Sequence, residues 1–292
     1  MRKWTIVLLI CCLLAGCTAA PADREPVQNA LPPAAEPVPE AACTYTVEMK
    51  DREDNAVDED GALLAVYRVH MPVLAARRTD GSTIETAETE AESRALMTVE
   101  TFNAEFASWT GREPLEELTE MAQFERAWRQ EAQIEWVSEL FMDLDCRVYQ
   151  TERLVSVAGN YYSYTGGAHP NTVLMAWNFD LETGEFFAPE QLAEDGGAFS
   201  QAVQAEIVRQ IHERAEENGM AAEEMFWSDY EEIAAGWSGY AVSFDEAGMT
   251  AGFSPYELAA YAAGPQTFLL PYDLLSPYLS DYGRAVLGLA RD

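Results

Sequence analysis

The chain opens on an apolar run at 4–14, behind Arg2 and Lys3. That run is shorter than the ~20 residues a membrane-spanning helix needs. A basic start, a short apolar core and small residues before a cut describe an export signal. The run closes on Leu14-Ala15-Gly16-Cys17, the pattern at which a lipoprotein signal is cleaved and its cysteine acylated. Residues 18–42 show no periodicity: Pro21, Pro26, Pro32, Pro33, Pro37 and Pro39 are interleaved with Ala and Glu. Such a segment buries too little apolar surface to fold, and proline keeps it extended, so it reads as a tether.

Beyond residue 42 the pattern becomes regular. Apolar and polar positions alternate at 43–49, as in a strand with one exposed face. The run 63–74 is strand-like and is interrupted by Pro72. Asp80-Gly81 marks a turn. Ala95, Val99, Phe102, Phe106 and Trp109 then recur every three or four residues, which predicts an amphipathic helix stopping near Gly111. Pro114 opens a second helix to about residue 141, with Leu118, Met121, Phe124 and Trp128 as its buried stripe. Residues 146–164 read as strand, 165–171 as turn-rich, 172–179 as strand, and Glu182-Thr183-Gly184 as a turn. Phe199, Val203, Ile207 and Ile211 lie on one face of a helix that Gly219 ends. The stretch 225–237 is short, aromatic and helical in tendency. Residues 240–244 and 249–253 flank Asp245-Glu246-Ala247-Gly248 as a hairpin. A last strand is expected at 266–270 and a closing helix at 274–289. Strands and helices come in blocks, which predicts an α+β fold: a largely antiparallel sheet packed with amphipathic helices. The expected divisions are a signal at 1–17, a tether at 18–42, and two halves of one folded module at 43–164 and 165–292.

Charge narrows the partners. The chain carries a net charge of −32, which becomes −34 once Arg2 and Lys3 leave with the signal. Nucleic-acid binding needs a basic footprint, so it is excluded. A surface this acidic does not hug anionic lipid, so membrane contact is expected only through the lipid on Cys17. It does steer a cationic partner. The expected place is the outer face of the cytoplasmic membrane. Cys43 and Cys146 remain in the folded part. Outside the membrane they can form a disulfide, for which the chain-entropy model gives up to ~4–5 kcal/mol. Two buried thiols in a reducing habitat are the alternative.

Candidate chemistry is sparse. Gly166-Gly167 allows positive φ or a close backbone approach. With Tyr164 and His169 it makes a candidate binding loop, and a plain turn between strands is the alternative. His70, His169 and His212 show no ligand spacing, so neither metal nor cofactor is expected. Ser156 and Ser163 lack a nucleophile-elbow context. Asp and Glu are too abundant to mark a carboxylate pair, and Asp58-Glu59-Asp60 lacks the spaced ligands of a calcium loop. Phe226, Trp227, Tyr230, Trp237 and Tyr240 form a candidate aromatic surface for a sugar or a protein, with core packing as the alternative.

The run Tyr162-Ser163-Tyr164-Thr165-Gly166-Gly167-Ala168-His169 begins a longer signature. Asn178-Phe179-Asp180, Thr183-Gly184, Phe244, Phe253, Tyr256-Glu257-Leu258-Ala259, Tyr261, Gly264 and Pro271-Tyr272 continue it. Together these resemble the extracellular module of the RsiV-type anti-sigma factors, which also stands beside the catalytic domain of PdaC-type peptidoglycan deacetylases. The resemblance spans roughly residues 43–280, with its specific motifs in the second half. It implies an α+β binding module without chemistry of its own, which in the anti-sigma factor grips lysozyme, a cationic protein. The expected partner is therefore a basic protein such as lysozyme, or peptidoglycan. Pro170 departs from the pattern, where the family usually has Gly after the histidine. Only Met1 to Lys3 precede the apolar run and no deacetylase domain follows, so neither sigma binding nor deacetylation is expected. The other readings are a wall hydrolase using His169 and nearby carboxylates, and a structural envelope lipoprotein.

Overall fold

The computed structural model describes residues 43–136 and 139–290. The signal, Cys17 and the tether to residue 42 lie outside the described residues. The strands begin with a long hairpin, β1 (Thr44–Val57) against β2 (Leu63–Arg77). It closes through the turn at 58–62, where Asp58 N–H donates to Ala62 O at 2.8 Å. β1 is an edge strand, and its Lys50, Asp51, Arg52, Glu53 and Asp54 blunt that edge with charge.

β2 does not stop at Pro72. It pairs in parallel with β3 (Leu140–Gln150) only from Ala65 to His70, so its far end has a free side. There Asn103 of helix α1 (Glu90–Glu105) replaces a strand. Its side chain accepts from Leu74 N–H at 2.9 Å and donates to Leu74 O at 3.0 Å. Pro72 has the same backbone orientation two residues earlier, so its missing N–H falls where no ladder partner is needed.

The parallel step from β2 to β3 carries α1 and α2 (Glu113–Glu131) as its crossover, as parallel pairing requires. β4 (Leu154–Tyr164), β5 (Asn171–Asp180) and the short β6 (Glu185–Phe186) complete a six-stranded sheet in sequence order, otherwise antiparallel. Leu64 to Tyr67 are all buried, because both faces of β2 are covered.

The α2 stripe differs from expectation. The face against the sheet is Leu118 and Ala122, both fully buried. Met121, Phe124 and Trp128 sit roughly 60–120° round the helix, and are 38 %, 79 % and 54 % exposed. The helix also ends earlier than its apolar pattern, at Glu131.

A second, three-stranded sheet runs β7 (Ala241–Phe244), β8 (Gly248–Phe253), β9 (Gln266–Pro271). Helix α3 (Gly196–Glu217) lies on it. Asp195 caps α3 by accepting from Gly197 and Ala198 N–H at 2.9 and 3.1 Å. Phe199, Val203, Ile207 and Ile211 form its buried stripe as expected, in one core with Met249, Phe253 and Phe268. Short helices α4 (Ala222–Met225) and α5 (Tyr230–Ala235) cover α3. The C-terminal segment is two short helices, α6 (Tyr272–Leu275) and α7 (Asp281–Leu287), not one. Pro277, in a 3₁₀ turn between them, breaks the run.

A buried polar bracket joins the sheets. Ser156 Oγ on β4 donates to Asn178 Oδ1 on β5 at 2.8 Å and accepts from Phe244 N–H on β7 at 2.8 Å. Asn178 Nδ2 donates to Val242 O at 2.7 Å. Both side chains are buried and every polar atom of the bracket is used, so it fixes how the second sheet sits on the first. No described helix is long and apolar enough to cross a membrane.

Candidate functional site

The loop after β4 is built on two glycines. Gly166 and Gly167 hold φ at +99° and +97°, a region a side chain rarely adopts. A Cβ on Gly166 would also lie 2.4 Å from Glu125 Oε2 on α2, so that side chain would have to shift. Tyr164 OH donates to Gly167 O at 3.0 Å and closes the loop from below.

His169 leaves this loop for solvent and meets a second segment. Its ring stacks on Tyr261, with centroids 3.8 Å apart and planes 25° apart. Tyr261 OH donates to Pro170 O at 2.7 Å, and His169 Nδ1–H donates to the same carbonyl at 2.8 Å. The β5 start is pinned as well, through Leu174 N–H donating to Ser254 Oγ at 3.1 Å. Tyr256 follows Tyr261 in the row, with centroids 5.6 Å apart. It is 55 % exposed and holds φ at +74° without being glycine. Trp227 closes the row: its indole N–H donates to Tyr256 O and its backbone N–H to Leu258 O, each at 3.0 Å. His169, Tyr261, Tyr256 and Trp227 thus form a partly exposed row of rings from three separate parts of the sequence.

Phe226, Tyr230 and Trp237 are not part of a surface, which corrects the expected aromatic set. All three are buried under 5 % exposure in the α3 core. Tyr230 and Ala234 lie one turn apart on α5, with Phe226 before that helix and Trp237 after it, and all four pack into the α3 core. Trp237 meets Phe199 edge-on at 5.8 Å, and Tyr240 is half-buried against Phe253 at 4.5 Å. Only Trp227 of that set is open to solvent.

The remaining candidates stand apart. His70 bonds Asp51 on the β1–β2 hairpin at 2.6 Å, and His212 bonds Tyr230 OH at 3.1 Å. Among the described residues no group of His, Cys, Asp and Glu is placed to hold a metal. Asp58 and Asp60 are both engaged by Arg126 of α2. Cys146 is a free thiol in the β-sheet core, and burial pushes it up to about 12. Cys43 packs in a different apolar cluster, beside Ala76, Ile84 and Ala95.

A cleft of about 610 Å³ opens between the sheets. Asp145 and Arg147 of β3, Asp245 and Glu246 of the β7–β8 turn, and Thr172 and Pro265 are on its walls. Thr172 and Pro265 follow shortly after Pro170 and Tyr261, so that part of the cleft adjoins the ring row.

Residues 185–273 match the family model of DUF3298, a protein family of unknown function, so a DUF3298 domain is present there. A crystal structure of a DUF3298 family member from Bacteroides fragilis is similar at a TM-score of 0.54 and 13 % identity, covering 85 % of this chain and 98 % of that one. That likeness shows the fold. A DUF3298 family protein from Pseudomonas aeruginosa aligns at a TM-score of 0.45 and 17 % identity, over 82 % of this chain and 95 % of that one. A search of curated proteins gives no match. The matched stretch contains Trp227, Tyr256 and Tyr261, and His169 lies outside it.

Proposed function

We propose that this chain is an exported, lipid-anchored binding module that holds a basic protein such as lysozyme at the ring row, with no chemistry of its own. The export and the anchor rest on the apolar run before Cys17. The partner class rests on charge and on the resemblance to the RsiV-type module.

The observation that carries the reading is Tyr256. A non-glycine residue at positive φ carries strain, which the surrounding contacts must hold. Here the loop 254–259 holds it: Tyr256 N–H donates to Ala259 O at 3.0 Å, and Ser254 N–H donates to the Glu257 carboxylate. The result is a rigid phenol presented outward beside Tyr261 and Trp227. Tyrosine and tryptophan are the side chains that most often anchor interfaces. Asp229 follows Trp227 by two residues and Glu257 follows Tyr256 directly, so the rings carry acidic neighbours, and a cationic partner is drawn to them.

The test is a set of substitutions read against immobilised lysozyme. Tyr256→Ala and Tyr261→Ala weaken binding by about tenfold or more each, the scale of a hot-spot truncation. Ser228→Ala, an exposed neighbour of Trp227, leaves it unchanged. Wild-type retention on peptidoglycan sacculi, with none on lysozyme, would move the partner from protein to glycan. Retention on neither would end the reading.

A further inference from the structure

We infer that α2 carries a second docking face, a ridge of Phe124, Trp128 and Met121 that takes a cationic partner bearing apolar side chains. This face is made of other residues than the ring row and is tested through them.

Helix geometry makes the ridge. Phe124 and Trp128 are four residues apart, so their rings neighbour each other on the helix surface. Met121 precedes them by three and seven residues on the same side. Their exposures of 79 %, 54 % and 38 % are unusual for side chains of this size. Ile134, just past the helix, adds 44 % exposure. Leu118 and Ala122 already anchor α2 to the sheet, so the ridge is not needed to hold the helix down. An apolar stripe left over after a helix has packed marks an interaction surface.

Charge selects the occupant. Each ridge residue has a glutamate three or four positions away: Glu117 for Met121, Glu120 for Phe124 and Glu131 for Trp128. All three are exposed, and among the described residues none of them is held in an ion pair. The arginines of the same helix are already engaged, Arg126 with Asp58 and Asp60 and Arg129 with Glu125. So the apolar ridge is bordered by unneutralised negative charge. A second copy of this chain, itself at −32, is repelled by that border, and so is an anionic bilayer. A basic amphipathic segment satisfies both the ridge and its rim, in the manner of a helix laid along an apolar face.

The experiment uses the full chain in detergent and two fluorescent synthetic amphipathic helices, one of Leu and Lys and one of Leu and Glu. Anisotropy should show the Leu/Lys helix binding and the Leu/Glu helix not. The double variant Phe124→Ala, Trp128→Ala keeps every charge and removes only exposed rings, so it folds as before. It should weaken the Leu/Lys helix about 30-fold or more, the scale of losing a hot spot. Tyr256→Ala should leave that binding unchanged, which separates this face from the ring row. Several results would overturn the inference: no binding of the Leu/Lys helix, binding that survives the double variant, or equal binding of the Leu/Glu helix. Uptake onto phosphatidylcholine vesicles that the double variant abolishes would overturn it too, and make the ridge a membrane contact.

Discussion

Tyr256 sits at a φ of +74°, where a side chain costs about 1–3 kcal/mol. Glycine would remove that cost along with the phenol. Tyr256→Gly is therefore expected to raise stability by about 1 kcal/mol in urea denaturation, offset in part by the entropy of glycine, while binding at the ring row falls. Stability and binding moving together would show that the tyrosine is held for packing alone. Gly166 behaves in the opposite way. Its φ of +99° strains any side chain, and a Cβ there would displace the Glu125 carboxylate, 2.4 Å away. Gly166→Ala should lower the unfolding free energy measured in urea by about 1–2 kcal/mol, and Gly167→Ala, with open space around it, by less.

At the scale of elements, two polar joints hold strands in place. The bracket of Ser156 and Asn178 leaves buried groups unsatisfied when broken, so Asn178→Ala should cost about 2–3 kcal/mol. Arg153 is the second joint: Nε and Nη2 donate to the two carboxylate oxygens of Asp180, each at 2.8 Å. Burial raises the Asp180 carboxyl, and the bonds from Arg153 more than reverse this, so it sits below the ordinary carboxylate range. Its folded value lies under the unfolded value of ~3.9. The joint therefore contributes fully above that pH and is lost as pH falls through the folded value. Asp180→Asn should lose about 3 kcal/mol at pH 7, and the gap from wild type should shrink near pH 3. A gap that stays constant in acid would remove the charge from the account.

Much of this element scale was legible in the sequence, and the exceptions have physical causes. The α3 stripe was readable because one face of that helix is uniformly apolar. On α2 two apolar sets overlap, and periodicity alone cannot say which one the sheet takes. The smaller set, Leu118 and Ala122, allows the closer approach to β2, and the aromatic set is left outside. Pro72 argued for a break, but β2 stays paired with β1 through it, with Met49 opposite Pro72, and Asn103, more than twenty residues away in sequence, takes up the free side at Leu74. The same non-local logic hid the candidate site. Gly166-Gly167 and His169 were visible as a loop, and Tyr256 and Tyr261 as part of a longer signature of residues. Their stacking depends on the bracket between two sheets, which no local pattern encodes. Trp227 could be told from Phe226 and Tyr230 only by how the chain turns between α4 and α5, where Trp227 bonds Tyr256 and Leu258 instead of entering the core.

For the whole molecule, the governing quantity is a net charge of −32. It sets a long-range field that draws a basic partner to the surface before any ring makes contact. Exposed charges lose most of their reach beyond a Debye length, ~10 Å at 0.1 M salt. The most direct test of a binding module of this kind is titration of the chain from Thr18 onward with lysozyme, by calorimetry, at low and at moderate salt. A one-to-one complex should form, weakening tenfold or more as salt rises and by about tenfold or more with Tyr256→Ala. Heat of binding absent at both salts, or an affinity indifferent to salt and to Tyr256, would contradict it.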